Sequence, residues 1–277
     1  MLFRSCLAVD SNAGTSKTSG NALSYNGTAW SAPMPIDAPN SLVSVSCAST
    51  SFCAAVDDAG NALTYDGTSW TSDAGLDSSG QFEAVSCPSA SFCMAVDNSG
   101  NAYTFDGTQW SNPQLVDATG GILTAVSCPS ASFCAGVGGS GVFLFNGSGW
   151  STGRVLGEGA GTGTGPPDGV SCTSPSFCIA VGTDGGVYTY NVGAWSTRAN
   201  ADAINGVSGG LTAVSCPTSS FCMAVDQSDN RSIAFNGSTW SAPMTLTGGD
   251  GLQSVSCPTT SFCAGVDGNA DAFTWRG

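Results

Sequence analysis

The chain has no histidine, and only 6 of its 277 residues are Lys or Arg against 20 Asp or Glu. Without an imidazole there is no base for a Ser-His-Asp relay and no histidine-ligated metal centre. The formal net charge is −14, and phosphate neutralisation needs clustered cations, so neither nucleic acid nor an anionic membrane surface is an expected partner. No stretch reaches the ~18 consecutive apolar residues of a spanning helix, so membrane insertion is not expected either. Helical periodicity is missing throughout. Charge is scarce at 9%, but the 41% of hydrophobic residues recur in register, which separates this sequence from a disordered one. The chain is expected to fold, and to be all-β.

What is present is cysteine and repetition. Twelve of 13 cysteines fall in six Cys-x5-Cys pairs: Cys47-Cys53, Cys87-Cys93, Cys128-Cys134, Cys172-Cys178, Cys216-Cys222 and Cys257-Cys263. Two thiolates per unit with no histidine do not complete a tetrahedral zinc shell unless pairs from separate units converge. A short hairpin, in contrast, sets two opposed Cβ atoms within disulfide reach. Structural disulfides are therefore expected, and with them an oxidising compartment, secreted or at the cell surface. Cys6 has no sequence partner. The opening "MLFRSCLAVD" aligns with the repeat and shows no signal peptide, so a start inside a longer gene is expected.

The second cysteines, from Cys6 through Cys53, Cys93, Cys134, Cys178, Cys222 and Cys263, are spaced by 47, 40, 41, 44, 44 and 41 residues. That is the period of four-stranded propeller blades. Each unit parses into strand A ("LTAVSC"), strand B ("SFCAAVD"), strand C ("NALTYDG") and strand D with "WSxP". The expected fold is a β-propeller of four-stranded antiparallel blades, one domain over residues 1–277. Seven blades are expected, the first without strand A and the last without strand D. Six blades, closed by strand D near Trp30 with residues 1 to about 26 surplus, are the alternative. Small residues alternate along strand A, as in Ala84 with Ser86 and Ala125 with Ser127, which fits crowding near a propeller axis. Glycine after Asn26, Asp66, Asp106, Asn146 and Asn236 supplies positive φ for a tight hairpin between strands C and D. Asn191-Val192 breaks this rule, with Gly193 one place later, and a reshaped turn is expected there.

The intervals divide the repeat into two faces. First to second cysteine is always 6 residues, and the Tyr or Phe of strand C to the Trp is always 5, so the face with the A–B and C–D turns is constant. Length varies only at the other face, where the B–C loop Asp10 to Asn21 is seven longer than Asp57 to Asn61. The D–A loops after Trp150 and Trp195 are also extended. Recognition is built on loops held by a rigid scaffold, and this candidate ligand face carries Lys17, Arg154, Glu158, Asp168, Arg198, Asp202 and Asn205.

Several motifs have a chemical and a structural meaning. An Asp opens the B–C turn at Asp57 and Asp97, and more loosely at Asp10, Asp226 and Asp267. Hard oxygens two residues apart suit calcium, whereas an Asp that caps the backbone two residues on needs no metal. Without the full EF-hand spacing, capping is the favoured reading. Trp30, Trp70, Trp110, Trp150, Trp195 and Trp240 offer faces for sugar rings, but a position filled in six units is first an inter-blade packing residue. Asn26, Asn146 and Asn236 head formal glycosylation sequons. Ser208 sits in "GVSGG", which matches a nucleophile elbow by letter yet lies in a Gly-rich loop with no histidine base. A carboxylate pair for glycoside hydrolysis remains among Glu83, Asp168 and Glu158.

The turn "YDGTSW", Tyr65 to Trp70, resembles the Asp-box of sialidase-type propellers in compressed form, with Asp66, Gly67, Thr68 and Trp70 in the same order. The resemblance implies a bacterial secreted repeat protein in which the box is structural, akin to glycosidases and sugar-binding lectins. The sialidase arginine triad is absent, since Arg4, Arg154, Arg198, Arg231 and Arg276 form no comparable set. The function expected is a non-catalytic extracellular module that binds carbohydrate or another surface polymer. Glycoside hydrolysis and a purely structural or protein-binding propeller are the alternatives.

Overall fold

A computed structural model describes residues 6–10, 20–78, 80–139, 141–156, 165–196, 199–200, 210–228, 230–245, 251–267 and 272–277. Seven small antiparallel sheets and no helix occur among them, a seven-bladed β-propeller. The chain divides into two compact units, residues 1–133 with 146–150 and residues 134–145 with 151–277.

In the first unit, β1 (Cys6–Asp10), β2 (Gly20–Tyr25) and β3 (Met34–Asp37) form one sheet. β4 (Leu42–Ser49), β5 (Phe52–Asp57), β6 (Ala62–Tyr65) and β7 (Trp70–Asp73) form the next. β8 (Phe82–Ser89), β9 (Phe92–Asp97), β10 (Asn101–Phe105) and β11 (Gln114–Leu115) follow, then β12 (Leu123–Ser130). The unit boundary falls within the fourth repeat, at β13 (Phe133–Gly138), which pairs with β14 (Gly141–Phe145). The second unit continues with β15 (Pro167–Ser174), β16 (Phe177–Gly182), β17 (Gly186–Asn191), β18 (Ala194–Trp195) and β19 (Ala199–Asn200). β20 (Leu211–Thr218), β21 (Phe221–Asp226), β22 (Arg231–Phe235) and β23 (Met244–Thr245) make a four-stranded sheet, and β24 (Leu252–Thr259), β25 (Phe262–Asp267) and β26 (Ala272–Arg276) a three-stranded one. The six-bladed alternative is thereby overturned. β2 pairs with β1 on one side, Cys6 opposite Tyr25, and with β3 on the other, Ala22 opposite Met34 with a register shift at Gly20, so the N-terminal repeat is a blade and not a surplus segment.

The core lies between neighbouring sheets. Every residue of β5 is buried, because side chains of the preceding and following sheets cover its two faces. Phe52, Ala54 and Val56 meet Phe82, Val85, Cys93, Tyr103 and Trp110 of the following repeat in one apolar cluster. Ile179 and Val181 meet Leu211, Val214, Ile233 and Phe235 in the same way. Each fully buried Leu or Phe of this kind contributes about 1.5–3 kcal/mol.

The small residues of strand A do more than relieve crowding. Ser44 and Ser46 accept hydrogen bonds from the backbone N–H groups of Val85 and Cys87 at 3.1 and 2.9 Å. The Cys128 N–H is taken by Ser86 at 3.0 Å, that of Cys216 by Ser171 at 3.0 Å and that of Cys257 by Ser215 at 2.9 Å. First strands of successive repeats thus meet through a hydroxyl, which a larger side chain would hold apart.

Strand D also differs from expectation. Of the "WSxP" run, Trp30, Trp110 and Trp240 make only isolated bridges, and ladder pairing resumes after the proline. Proline has no N–H to give. The serine compensates: Ser111 N–H donates to the Thr104 carbonyl at 2.8 Å and Ser111 Oγ accepts the Thr104 N–H at 3.0 Å, with the same pairing at Ser31, Ser151, Ser196 and Ser241.

Candidate functional site

The two ends of each blade are built by different chemistry. At one end the A–B hairpin is pinned by a disulfide between facing strands: Cys47 opposes Cys53 and Cys172 opposes Cys178 in register. Bonds join Cys47 to Cys53, Cys87 to Cys93, Cys172 to Cys178, Cys216 to Cys222 and Cys257 to Cys263. Cys128 and Cys134 are disulfide-bonded as well. Paired hydroxyls finish the turn, as at Ser49 and Ser51, 3.1 Å apart.

The C–D turn packs beside it. A Cβ added to Gly67 would meet Ser51, and one added to Gly237 would meet Ser220. Asp66 Oδ1 accepts the N–H groups of Thr68 and Ser69 at 2.8 Å each and the Thr68 hydroxyl at 2.7 Å. The Thr68 hydroxyl, then the two N–H groups, hold the Asp66 carboxyl down at about 2, and the Thr108 hydroxyl with the Gln109 and Thr108 N–H groups lowers Asp106. Asn26, Asn146 and Asn236 make the equivalent contacts. The turn spans four residues, with φ positive only at the glycine, for example Gly67 at 96°. The side-chain oxygen therefore closes a four-residue loop between the paired Tyr65 and Trp70, longer than a two-residue hairpin. That tight form occurs instead at Val192-Gly193, where φ is 44° and 91° between the paired Asn191 and Ala194.

The tryptophans belong to the framework. Trp30 lies 5.3 Å from Tyr25, Trp70 5.3 Å from Tyr65, Trp110 5.4 Å from Phe105, Trp195 5.3 Å from Tyr190 and Trp240 5.2 Å from Phe235, centroid to centroid. Trp110 and Trp195 are buried, while Trp30, Trp70 and Trp240 are half-buried. The partner is the aromatic of the same blade's strand C. Trp110 and Trp240 also join the clusters between repeats.

At the opposite end the B–C turn and the D–A connection meet. Asp77 N–H donates to Gly60 O at 2.9 Å and Asp117 N–H to Gly100 O at 3.0 Å. Arg154, in the second unit, pairs with Val142 through two 2.9 Å bonds. Gly60, at φ 82°, would drive a Cβ into the Asp77 carbonyl, so the two loops touch where only glycine fits.

The turn aspartates are caps. Asp57 Oδ1 accepts the Ala59 and Asn61 N–H groups at 3.0 and 2.6 Å, and Asp97 Oδ1 those of Ser99 and Asn101 at 2.9 and 2.7 Å. Asp226 instead pairs with Arg231 at 3.0 Å, both buried. Asp267 is buried too. Both carboxylate oxygens of Asp57 and of Asp97 accept N–H groups within their own turn, Oδ2 from the side-chain amides of Asn61 and Asn101. Among the described residues no group of three or more His, Cys, Asp or Glu is placed to hold a metal.

Of the expected ligand-face residues, Arg154 is exposed and Asp168 half-buried on β15, with burial raising its carboxyl above the usual range. Lys17, Glu158, Arg198, Asp202 and Asn205 lie outside the described residues, as does Ser208. Glu83 is half-buried on β8 in the first unit. Sequence reasoning missed Asp37, Asp77 and Asp117, of which the last two are buried. Their 40-residue spacing was the available signal.

Together these features define a disulfide-stapled β-propeller with a constant end and a variable end. Solved structures similar to the chain carry the same fold. YCF48 bound to D1 peptide is 13% identical with a TM-score of 0.67, covering 100% of this chain and 96% of that one. YCF48 from Cyanidioschyzon merolae is 14% identical with a TM-score of 0.68, covering 100% and 97%. A chain of the Mitotic Checkpoint Complex is 15% identical with a TM-score of 0.73, covering 93% and 81%. No family model matches the sequence, and no curated protein matches it.

Proposed function

We propose that residues 1–277 act as one non-catalytic extracellular recognition module that binds an extended segment of a partner protein. Binding falls to the blade ends that carry the B–C turns and D–A connections. The observation that carries this reading is the confinement of length variation to that end, opposite the end pinned by disulfides. Peptide is favoured over glycan because the tryptophans best suited to sugar stacking are spent on packing, and because a structure of this fold at full coverage is that of YCF48 bound to D1 peptide. The net charge of −14 adds a preference for cationic segments and repels polyanions. Disulfide-bonded cysteines indicate an oxidising environment, from which secretion or surface display is inferred. Among the described residues no helix is long and apolar enough to cross a membrane.

A glycan or other surface polymer is the second reading, favoured by the half-exposed rings of Trp30, Trp70 and Trp240. Peptide and glycan arrays probed with the intact chain, each with calcium and with chelator, separate the two. Selective capture of basic peptides, weakened by salt, is the expected result. Selective glycan capture would transfer the assignment to the second reading, and loss with chelator would make the turn aspartates ligands. Blank arrays would overturn recognition of either kind. Replacing Asp10–Asn21 by the short turn Asp57–Asn61 is expected to weaken binding while leaving the fold intact.

A further inference from the structure

Asp37 ends β3 in the first sheet and Asp57 ends β5 in the second. The buried Asp57 carboxylate is supplied with three donors, the N–H groups of Ala59 and Asn61 and the Asn61 side-chain amide at 2.5 Å. Asp37 has one long contact, from Asn40 Nδ2 to Oδ1 at 3.4 Å, and its enclosed Oδ2 meets no donor. The two carboxyl groups face each other. Carboxylates only accept, so this contact becomes a hydrogen bond only when one of them carries a proton. The donor-poor Asp37 is the one that must carry it.

We propose that Asp37 and Asp57 form a proton-dependent clasp between the first and second sheets. Protonated Asp37 donates an O–H···O bond to the Asp57 carboxylate. Release of that proton to solvent replaces the bond by repulsion between the half-buried Asp37 and the buried Asp57 carboxylates. The other charge acting on Asp37 is that of Asp58, also negative, whose Oδ1 accepts the Ser41 N–H at 2.9 Å.

The next repeat supplies an internal comparison. Asp77 and Asp97 stand 40 residues after Asp37 and Asp57, and Tyr103 occupies the place held by Leu63. Its hydroxyl reaches Asp97 Oδ2 at 3.3 Å and also meets Asp77. Burial, then the charges of Asp77 and Asp97, push the phenol up and keep its proton in place. Where Tyr103 brings a permanent donor, Leu63 brings none, and the first pair depends on a proton from solvent.

Burial, reinforced by the hydrogen bond to Asp57 and its charge, pushes Asp37 from 3.8 up to about 6. Its folded value is raised above the unfolded one. The clasp therefore contributes fully below pH 3.8 and is lost as pH rises through about 6.

The test is a carbon-detected NMR titration of the Asp37 carboxyl in the intact chain, with melting curves of wild type and Asp37→Asn from about pH 5 to about pH 7.5. The substituted amide would keep the shape and offer an N–H donor at every pH. The expected results are an Asp37 midpoint near 6, a wild-type Tm that falls across this range, and a smaller fall in the variant. An Asp37 midpoint near 3.8, or a variant with the wild-type fall, overturns the clasp. If the variant does not fold, the wild-type titration decides alone.

Discussion

The Ser46 hydroxyl accepts the backbone N–H of Cys87 at 2.9 Å, 41 residues further along the chain. This contact repeats between first strands and couples one repeat to the next without a charged group. Ser46→Ala is expected to lower unfolding stability by about 1 kcal/mol, the net worth of a partly buried hydrogen bond. Ser72→Ala on the exposed outer strand should stay within about 0.5 kcal/mol. Chemical denaturation of both variants checks this, and equal effects would show that the hydroxyl bond is not what couples the strands.

The disulfides should register in a thiol count. With 13 cysteines and 12 disulfide-bonded, unreduced and denatured protein should yield 13 − 12, a single thiol at Cys6. Replacing both Cys87 and Cys93 by Ala is expected to cost about 2 kcal/mol, the loop-closure value for so short a ring. A count of thirteen would contradict the pairing.

Val192 holds φ 44° at an exposed turn, where a β-branched residue is disfavoured. Val192→Asn, which creates an Asn-Gly hairpin turn, should raise stability by about 1 kcal/mol. A loss of stability in thermal melts would mean that the side chain makes a contact worth more than the backbone strain.

Asp66 and Asn26 close equivalent turns with the same acceptor oxygen. Asp66→Asn should therefore be tolerated and Asp66→Ala should lower Tm. Because the Asp66 carboxyl is held below its unfolded value, its contribution is present above pH 3.8 and lost as pH falls through about 2. The gap between wild type and Asp66→Ala should close over that interval. A gap that persists in strong acid would assign the effect to something other than the carboxylate.

The blade order was legible from the sequence because cysteine, Asn-Gly or Asp-Gly, and Trp recur at fixed intervals. These mark turns, and turns fix the register of the strands between them. Disulfide pairing was legible for the same reason, since so short and constant a spacing leaves few geometries. The inter-repeat role of Ser46 and Ser86 was not, because a small residue that avoids a clash and one that accepts a bond look alike in a strand pattern. Nor was the facing of Asp37 and Asp57, which belong to different repeats and meet only when one sheet lies beside the next. The ligand-face residues were chosen by loop length, a signal that marks where variation is tolerated without saying what each side chain touches.

The serine bonds between first strands bear on how such an array can change in size. From the second repeat to the third, the third to the fourth, the fifth to the sixth and the sixth to the seventh, a serine hydroxyl takes the N–H of a cysteine in the successor, with the same partners at each place. Duplication or excision of one whole repeat re-forms the bond at the new junction, whereas a partial repeat leaves an N–H without its acceptor.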